Sequence, residues 1–175
     1  MRDATELSSI FSVRATVWRI CKRQLLRNAF TGEGAATNGG RWNSPGTPTV
    51  YTAESQSLAA LEILTHTADP NNLIDLNYVA IPVELDEQMI IEAAKLPRDW
   101  RSYPAPHSTM KFGDLWIRAK LSLALRVPSA IIPSECNYLL NPAHPDFLKL
   151  SIGKPLSFEF DSRLAFSPGK QSQKI

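Results

Sequence analysis

A glycine- and proline-rich stretch over residues 31–48 most constrains how this chain can fold. It holds five of the chain's eight glycines and two prolines, residues that interrupt both helices and strands. We therefore expect a long loop here, and loops of this length in compact domains are often functional. A short strand is predicted directly after it, over 49–53, followed by a helix that Glu54 or Ser55 caps and that reaches His66.

Strands and helices are mixed along the rest of the chain without strict βαβ alternation, which is typical of the α+β class. A length of 175 residues favours one domain over 1–175, with a core over 13–164 and a polar tail over 165–175. The further predicted strands are 13–20, 78–85, 124–127, 130–132 and 156–160, and 137–141 is a short apolar element. Pro82 places the second of these at a sheet edge or a bulge. A helix is predicted over 112–122, with Leu115, Trp116, Ala119 and Leu123 on one face.

Composition excludes several classes of protein. Hydrophobic residues make up 43% and charged residues 21% of the chain, as in globular rather than disordered proteins. A net charge of +2 is too small to predict direct nucleic-acid binding, which needs a clustered basic face. No apolar run approaches the roughly 20 residues that span a bilayer, and the N-terminus lacks the apolar segment of a signal peptide.

The cysteines and histidines predict neither a disulfide framework nor a metal site. Cys21 and Cys136 are most simply free thiols in a reducing cytoplasm. His66, His107 and His144 lie far apart, with no second ligand at metal-binding spacing. We therefore expect no metal and a cytoplasmic protein.

Glu62 is the most informative single residue. It lies on the predicted helix beside an apolar stripe of Leu58, Leu61 and Leu64, so its carboxylate should be half-buried. A structural interpretation pairs it with a neighbour such as His66 or an arginine. A functional interpretation turns it toward a cleft, where it would stabilise positive charge on a sugar carbon. The sequence leaves both open.

Two arginines and a tyrosine could bind a ligand. Arg41 follows Gly39-Gly40, where the backbone can approach a ligand closely, and a guanidinium suits a phosphate pair. Arg19, on the first strand, would complete a diphosphate clamp if it faced the same loop. Tyr51 is either a core aromatic or a stacking platform. Each arginine could equally be a solvated surface residue.

Ser129 and Asn137 lie near strand ends. Ser129 follows Pro128 at a strand break, and no GxSxG nucleophile elbow surrounds it, so a Ser-His-Asp hydrolase is not indicated. Asn137 and His144 lie in a Pro- and Asn-rich region that turn chemistry alone could explain.

Taken together, the chain resembles the RES domain family, the toxin component of bacterial Xre–RES toxin–antitoxin pairs. The resemblance covers residues 17–164, and the joint order and spacing of its stretches are specific. The matching stretches are Trp18-Arg19-Ile20, Gly39-Gly40-Arg41-Trp42-Asn43 with Pro45-Gly46, Val50-Tyr51-Thr52-Ala53-Glu54, Leu58-Ala59-Ala60-Leu61-Glu62 with His66, Gly113-Asp114-Leu115-Trp116, Leu125-Arg126-Val127-Pro128-Ser129-Ala130, Asn137-Tyr138-Leu139-Leu140-Asn141-Pro142-Ala143-His144-Pro145 and Phe160-Asp161-Ser162-Arg163-Leu164.

The resemblance implies an ADP-ribosyltransferase-like fold, with a mixed or antiparallel sheet flanked by helices. It also implies a bacterial enzyme that cleaves the nicotinamide–ribose bond of NAD, depletes cellular NAD and arrests growth. NAD is then the substrate rather than a cofactor. Carried over residue by residue, the catalytic positions are Arg41, Tyr51, Glu62 and Ser129, and the NAD-binding positions are Arg19, Arg41, Tyr51 and Asn137. A cognate Xre-like, DNA-binding antitoxin is the implied partner.

Several alternatives stay open. Water, inorganic phosphate or a protein side chain could accept the ribosyl group, and the last would make the chain a mono-ADP-ribosyltransferase. A non-catalytic module would instead use Trp42, Trp100 and Tyr103 at an interface. Nucleic-acid cleavage lacks the basic face and catalytic pair it needs. The sequence does not decide the oligomeric state, and a homodimer is possible.

Overall fold

The computed structural model describes residues 13–69, 71–74 and 77–164. Its strands are β1 (Arg14–Lys22), β2 (Val50–Ala53), β3 (Tyr78–Asp86), β4 (Ile90–Glu92), β5 (Ala124–Pro128), β6 (Cys136–Leu140), β7 (Ser151–Ile152) and β8 (Leu156–Phe158). Its α-helices are α1 (Glu33–Asn38), α2 (Gln56–His66), α3 (Asn71–Ile74) and α4 (His107–Ala119). Short 3₁₀ turns cover Arg23–Asn28, Glu87–Met89, Phe147–Lys149 and Ser162–Leu164.

The strands form one sheet in the order β4-β5-β6-β2-β1-β3-β7, with β8 also paired to β3. Every neighbouring pair is antiparallel except β4 and β5, which run parallel. The predicted α+β class, with a mixed, mostly antiparallel sheet and flanking helices, is therefore confirmed.

Alternation along the strands divides the sheet into two faces, because successive side chains point to opposite sides. One face carries an apolar cluster around Val17, Val50 and Leu140. The other face carries two separate apolar clusters. The first lies under α2 and includes Ile20 and Ala53, and the second lies under α4. Tyr51 and Asn137, discussed below, lie on this second face, whereas Arg19 alternates with Ile20 and lies on the first.

The glycine-rich stretch is not wholly a loop, because it contains helix α1. Gly32 and Gly39 bound this helix with φ angles of 76° and 73°, which a glycine adopts without strain. The two alanines between them, Ala35 and Ala36, favour helix. Glycine here therefore marks the two ends of a short helix.

The predicted helix over 112–122 begins earlier and ends earlier than its pattern indicated. Helix α4 starts at His107 and ends before Lys120, whose φ of 51° is left-handed. Leu115 is 55% exposed, contrary to prediction, while the buried residues include Gly113 and Trp116. The buried face of α4 instead runs through Thr109, Gly113, Trp116 and Ile117.

Three strand predictions also need correction. Residues 130–132 form a turn rather than a strand. Pro82 is not on an edge strand, because β3 has paired strands on both sides. On one side β3 pairs with β1 along its whole length, and on the other side Pro82 lies between the segment paired with β8 and the segment paired with β7. The last strand stops at Phe158, two residues early. The first strand runs two residues beyond its predicted end, and the remaining ends agree within one residue.

Cys21 and Cys136 are both free thiols. Within the described ranges, no helix is both long and apolar enough to cross a membrane. The same residues contain no group of three or more His, Cys, Asp or Glu side chains placed to hold a metal ion. The predicted polar tail over 165–175 lies outside the described residues.

Candidate active site

Helix α2 turns Glu62 toward the sheet. Ser55 caps the helix as predicted, and its hydroxyl accepts from the Leu58 N–H at 3.0 Å. At about 100° per residue, Glu62 projects about 40° from Leu58 and about 60° from Ala59 around the helix. Those two residues are the buried ones of α2. Glu62 therefore projects between the two buried residues and is itself half-buried, as predicted. Of the predicted stripe, Leu58 and Leu64 pack in the cluster under α2, while Leu61 is half-buried.

The Glu62 carboxylate is held by two donors from separate strands. Its Oε1 accepts from the Ser129 hydroxyl at 3.0 Å and from Asn137 Nδ2 at 2.6 Å. The strand register explains the convergence: Ala53, Asn137 and Val127 are cross-strand partners in one row of the sheet. Ser129 follows Val127 by two residues and so leaves β5 on the same side as Asn137.

Ser129 is fully buried, and all of its hydrogen-bonding capacity is used. Its oxygen accepts from the N–H groups of Ile131 and Ile132 at 3.1 and 3.2 Å, while its hydrogen goes to Glu62. These contacts form the turn that replaces the predicted strand over 130–132. In this arrangement Ser129 orients the carboxylate, and its lone pairs are not free for nucleophilic attack.

The Glu62 side chain has no cationic partner among the described residues. Among residues 13–69, 71–74 and 77–164, no Lys, Arg or His nitrogen lies within 4.0 Å of it, and its Oε2 has no protein donor. His66, the predicted structural partner, is exposed. A half-buried carboxylate fixed by neutral donors is preorganised to stabilise positive charge on a neighbouring group.

Tyr51 contacts the loop that carries Arg41 and lies on the same face of the sheet as Asn137. Its hydroxyl accepts from the Trp42 N–H at 3.1 Å and donates to Asn43 Oδ1 at 2.7 Å. Burial raises the pKa of Tyr51 well above its ordinary value, so the hydroxyl keeps its proton.

Arg41 contacts the connection between β4 and α4. Its Nη1 donates to the carbonyls of Trp100 and Ser102 at 2.7 and 2.9 Å. In the same connection, Arg101 Nε donates at 3.0 Å to the carbonyl of Ala130, the residue after Ser129. Residues 100–102 therefore bridge the Arg41 loop and the Ser129 turn, a contact that no sequence pattern had indicated.

Arg19 lies on the opposite face of β1 from Trp18 and Ile20. Its Nη1 reaches the carbonyl of Tyr51 at 2.8 Å, at the point where β1 and β2 share a single paired position. Its Nε is buried without a partner in the described part of the chain. Burial lowers the pKa of Arg19, with Cys21 opposing the shift, yet a guanidinium stays charged.

The predicted site residues thus fall into two groups. Ser129 and Asn137 each contact Glu62 directly, while Arg41 and Tyr51 are joined through Trp42. Arg19 and Arg41 have different partners, so the two-arginine clamp stays a prediction. The structure adds Asn43, fully buried beside Tyr51, which the sequence had offered only as part of a matching stretch.

A comparison of the sequence with models of protein families identifies the class of protein. The RES domain model covers residues 16–161. The chain belongs to the RES domain family.

Curated relatives are similar along almost their whole length. Two are named Toxin Res. The one from Yersinia enterocolitica is 44% identical over 85% of this chain and 98% of its own length. The one from Photorhabdus laumondii is 40% identical over 85% of this chain and 96% of its own length. A third, from a Sphingobium species, is 34% identical over 84% and 94% and is named Prs ADP-ribosylating toxin. These names confirm the prediction of a RES-family toxin.

A solved structure shares the fold. The crystal structure of the M. tuberculosis MbcT–MbcA toxin–antitoxin complex contains a chain with a TM-score of 0.66 and 18% identity, covering 85% of this chain and 86% of that one. At this identity the likeness is one of architecture.

Proposed function

We propose that this protein is a toxin that degrades NAD by cleaving its nicotinamide–ribose bond. The observation that carries the proposal is the Glu62 carboxylate, fixed by Ser129 and Asn137 and unpaired with any cation in the described residues. Family membership supports the same reaction class, because the relatives are toxins and one is named as ADP-ribosylating.

The charge on Glu62 suits the transition state of this reaction. As the C–N bond breaks, both bonding electrons leave with nicotinamide, whose ring becomes neutral, and positive charge builds on the ribose. A carboxylate held in place beforehand stabilises that charge more than it stabilises the ground state. The two neutral donors fix the position of Oε1 and leave Oε2 free to face the sugar.

Arg41 and Arg19 would bind the diphosphate of NAD. The Arg41 guanidinium uses one nitrogen on backbone carbonyls, which leaves its other N–H groups for an anion. The buried, unpartnered Nε of Arg19 also suits an anionic acceptor. Tyr51 would border the nicotinamide end, because its cross-strand partner Leu139 lies two residues from Asn137 and on the same face of the sheet.

Transfer of ADP-ribose to a protein is the second candidate. It is favoured by the name of the Sphingobium relative, Prs ADP-ribosylating toxin. Bond cleavage at the ribose is common to both reactions, so Glu62 would have the same role. Only the acceptor differs: water or phosphate in one reaction, a protein side chain in the other.

An antitoxin is the proposed partner. The structural neighbour comes from a toxin–antitoxin complex, and a protein that consumed NAD freely would harm the cell that makes it. We propose a cognate Xre-like, DNA-binding antitoxin that covers the Arg41 side of the site, in the bacterial cytoplasm.

The direct test follows nicotinamide release from NAD by the purified protein. Glu62→Gln keeps the shape of the side chain and removes its charge, so release should fall at least about 100-fold, as when a comparable electrostatic group is removed. Glu92→Gln is the matched control. Glu92 lies on the edge strand β4 with 72% of its side chain exposed, and its loss should leave the rate unchanged.

Mass spectrometry of the products separates the candidates. Free ADP-ribose or its 1-phosphate indicates hydrolysis or phosphorolysis, and ADP-ribose attached to a protein indicates transfer. Wild-type protein that releases no nicotinamide, alone or with bacterial extract, would overturn the proposal. Full activity in folded Glu62→Gln would remove Glu62 from the mechanism.

A further inference from the structure

Asn43 is a polar residue with no exposed surface, and the sequence alone predicts no role for it in the site. Its amide nitrogen donates to the carbonyls of Ala35, Ser44 and Thr47 at 2.9, 3.1 and 3.0 Å. Its Oδ1 accepts from the Tyr51 hydroxyl at 2.7 Å. A buried amide this fully bonded fixes the backbone around it, because breaking any one contact leaves a buried group unsatisfied.

The contacts of Asn43 hold the peptide groups on both sides of Arg41. Before Arg41, the Gly40 N–H donates to the Asn43 carbonyl at 2.9 Å. After it, the Trp42 N–H donates to the Tyr51 hydroxyl, which Asn43 in turn holds. The direction in which the Arg41 side chain leaves the loop is therefore set by Asn43 and Tyr51 together.

The packing around this link is close. A Cβ at position 40 would lie 2.5 Å from the Tyr51 hydroxyl oxygen and 2.8 Å from Asn43 Oδ1, so only glycine fits there. This explains the second glycine of the Gly39-Gly40 pair by a contact within the protein. A close backbone approach to a ligand is not needed to account for it.

We infer that Asn43 is a positioning residue that, through the Tyr51 hydroxyl, holds Arg41 where the anionic part of the substrate binds. The inference rests on the proposed function and assigns Asn43 a role in binding NAD rather than in breaking the bond. It also gives the Tyr51 hydroxyl a second task besides bordering nicotinamide. Loss of the link should therefore weaken binding and leave the Glu62 cluster intact.

Steady-state kinetics test this role. Asn43→Ala should raise KM for NAD by about tenfold or more and change kcat by less than about threefold, because uniform binding is lost while transition-state charge stabilisation is kept. Tyr51→Phe should raise KM in the same direction. In the double variant Asn43→Ala with Arg41→Ala, KM should equal that of Arg41→Ala alone, since both changes remove one interaction.

Asn141→Ala is the matched control. Asn141 is also fully buried; it donates to the Ile117 carbonyl at 2.9 Å and accepts from the Ala143 N–H at 3.0 Å, without contact to the Arg41 loop. Its loss should lower the melting temperature and leave KM unchanged. Equal KM values for the folded Asn43 and Asn141 variants would overturn the inference, as would a further rise in the double variant.

Hydrogen–deuterium exchange gives a readout that does not depend on NAD. Amides over residues 40–47 should exchange faster in Asn43→Ala and Tyr51→Phe than in wild type, and at the wild-type rate in Asn141→Ala. Unchanged exchange in both loop variants would overturn the inference even if NAD is consumed. If the two loop variants exchange faster but the wild-type protein does not bind NAD, the proposed function is wrong, and with it the role of Asn43 in substrate binding.

If Asn43→Ala does not fold, Tyr51→Phe alone decides. Phenylalanine fills the same space and removes only the hydroxyl, which leaves the Trp42 N–H without an acceptor. A raised KM and faster exchange over 40–47 support the inference. Wild-type values for both overturn it.

Discussion

Asn137 Nδ2 donates to Glu62 Oε1 at 2.6 Å, although the two residues are 75 positions apart in the chain. Strand β6 and helix α2 must therefore dock correctly before the carboxylate is in place. The bond is short, and its donor is neutral. The site thus gains orientation for Glu62 without losing the negative charge that the proposed reaction uses.

This relationship predicts an altered pH profile for Asn137→Asp. The variant replaces a neutral donor with a second carboxylate at the same position. Two carboxylates this close resist double ionisation, so the pair should share one proton at neutral pH and lose it only at higher pH. Nicotinamide release should fall at pH 7 and recover as the pH rises, because only the fully ionised pair supplies the charge on Glu62.

Asn137→Ala is the control for lost orientation. It should lower kcat at every pH and leave the shape of the pH–rate profile as in wild type. A profile for Asn137→Asp with the wild-type midpoint would show that the two side chains are not coupled in solution.

Much of the local structure could be predicted from the sequence. The N-cap at Ser55 and the helix to His66 follow from capping chemistry, and the strand around Tyr51 follows from its β-branched and aromatic residues. The apolar element after Asn137 is the strand β6. These are short-range effects. The α+β class followed from the order of such elements alone.

The contacts within the site could not be predicted in the same way. The pairing of Glu62 with Ser129 depends on the register of β5 against β6 and on the turn after Ser129, which the sequence presented as a strand. The Arg41 contacts with Trp100 and Ser102 join residues about 60 apart through backbone carbonyls, which carry no residue-specific signal. Residue types indicated the chemistry, and the fold decided the partners.

Gly113→Ala should displace the Arg41 loop. An added Cβ at this position on α4 would overlap the carbonyl oxygen of Trp42. Either the helix or the loop must move, and the free energy of unfolding should fall by about 1–3 kcal/mol, as for overpacked cores. Urea unfolding measures this loss, and KM for NAD should rise in parallel because Trp42 follows Arg41.

Gly34→Ala is the matched control, because it adds the same methyl group to a helix at a position with open space around it. No atom lies within 4 Å of an added Cβ there, and the residue is exposed on α1. The free energy of unfolding should stay the same or rise by about 0.5–1 kcal/mol, the usual gain for alanine over glycine in a helix. Equal effects of the two substitutions would contradict the close approach at Gly113.

Asp114, the residue after Gly113 on α4, makes the free energy of unfolding depend on pH through its contact with Ser44. Partial burial alone would raise the pKa of Asp114, but hydrogen bonds from Ser44 and Thr47 and the charge of Arg118 lower it below the ordinary carboxyl value. The Ser44 N–H bond is 2.9 Å long. A carboxyl group whose pKa is lower in the folded than in the unfolded protein stabilises the fold at pH values above its unfolded-state pKa, about 3.9. This stabilisation is lost as the pH falls through the folded-state pKa.

Asp114→Asn isolates that contribution. The difference in free energy of unfolding between wild type and variant should be constant between pH 5 and 7, in favour of wild type, and should shrink as the pH falls below about 4. Denaturant unfolding at each pH measures it. A difference that grows toward acid pH would mean that the sign of the shift is wrong.

Ser129→Ala should damage both stability and activity. The substitution leaves the buried N–H groups of Ile131 and Ile132 without their acceptor, which should lower the free energy of unfolding by about 1–3 kcal/mol. It also removes one of the two donors that orient Glu62, so kcat should fall while KM changes little. Thermal unfolding and nicotinamide release measure the two effects on the same sample.

Ser122→Ala separates the two effects, because Ser122 is a buried serine with a purely structural environment. Its hydroxyl accepts from Trp116 Nε1 at 2.9 Å and donates to the Ala124 carbonyl at 2.9 Å, with no contact to Glu62. Its loss should lower the free energy of unfolding by a similar amount and leave kcat at the wild-type value. If the two alanine variants lose kcat equally, the effect at Ser129 is one of stability, and the Ser129–Glu62 bond does not orient the catalytic carboxylate.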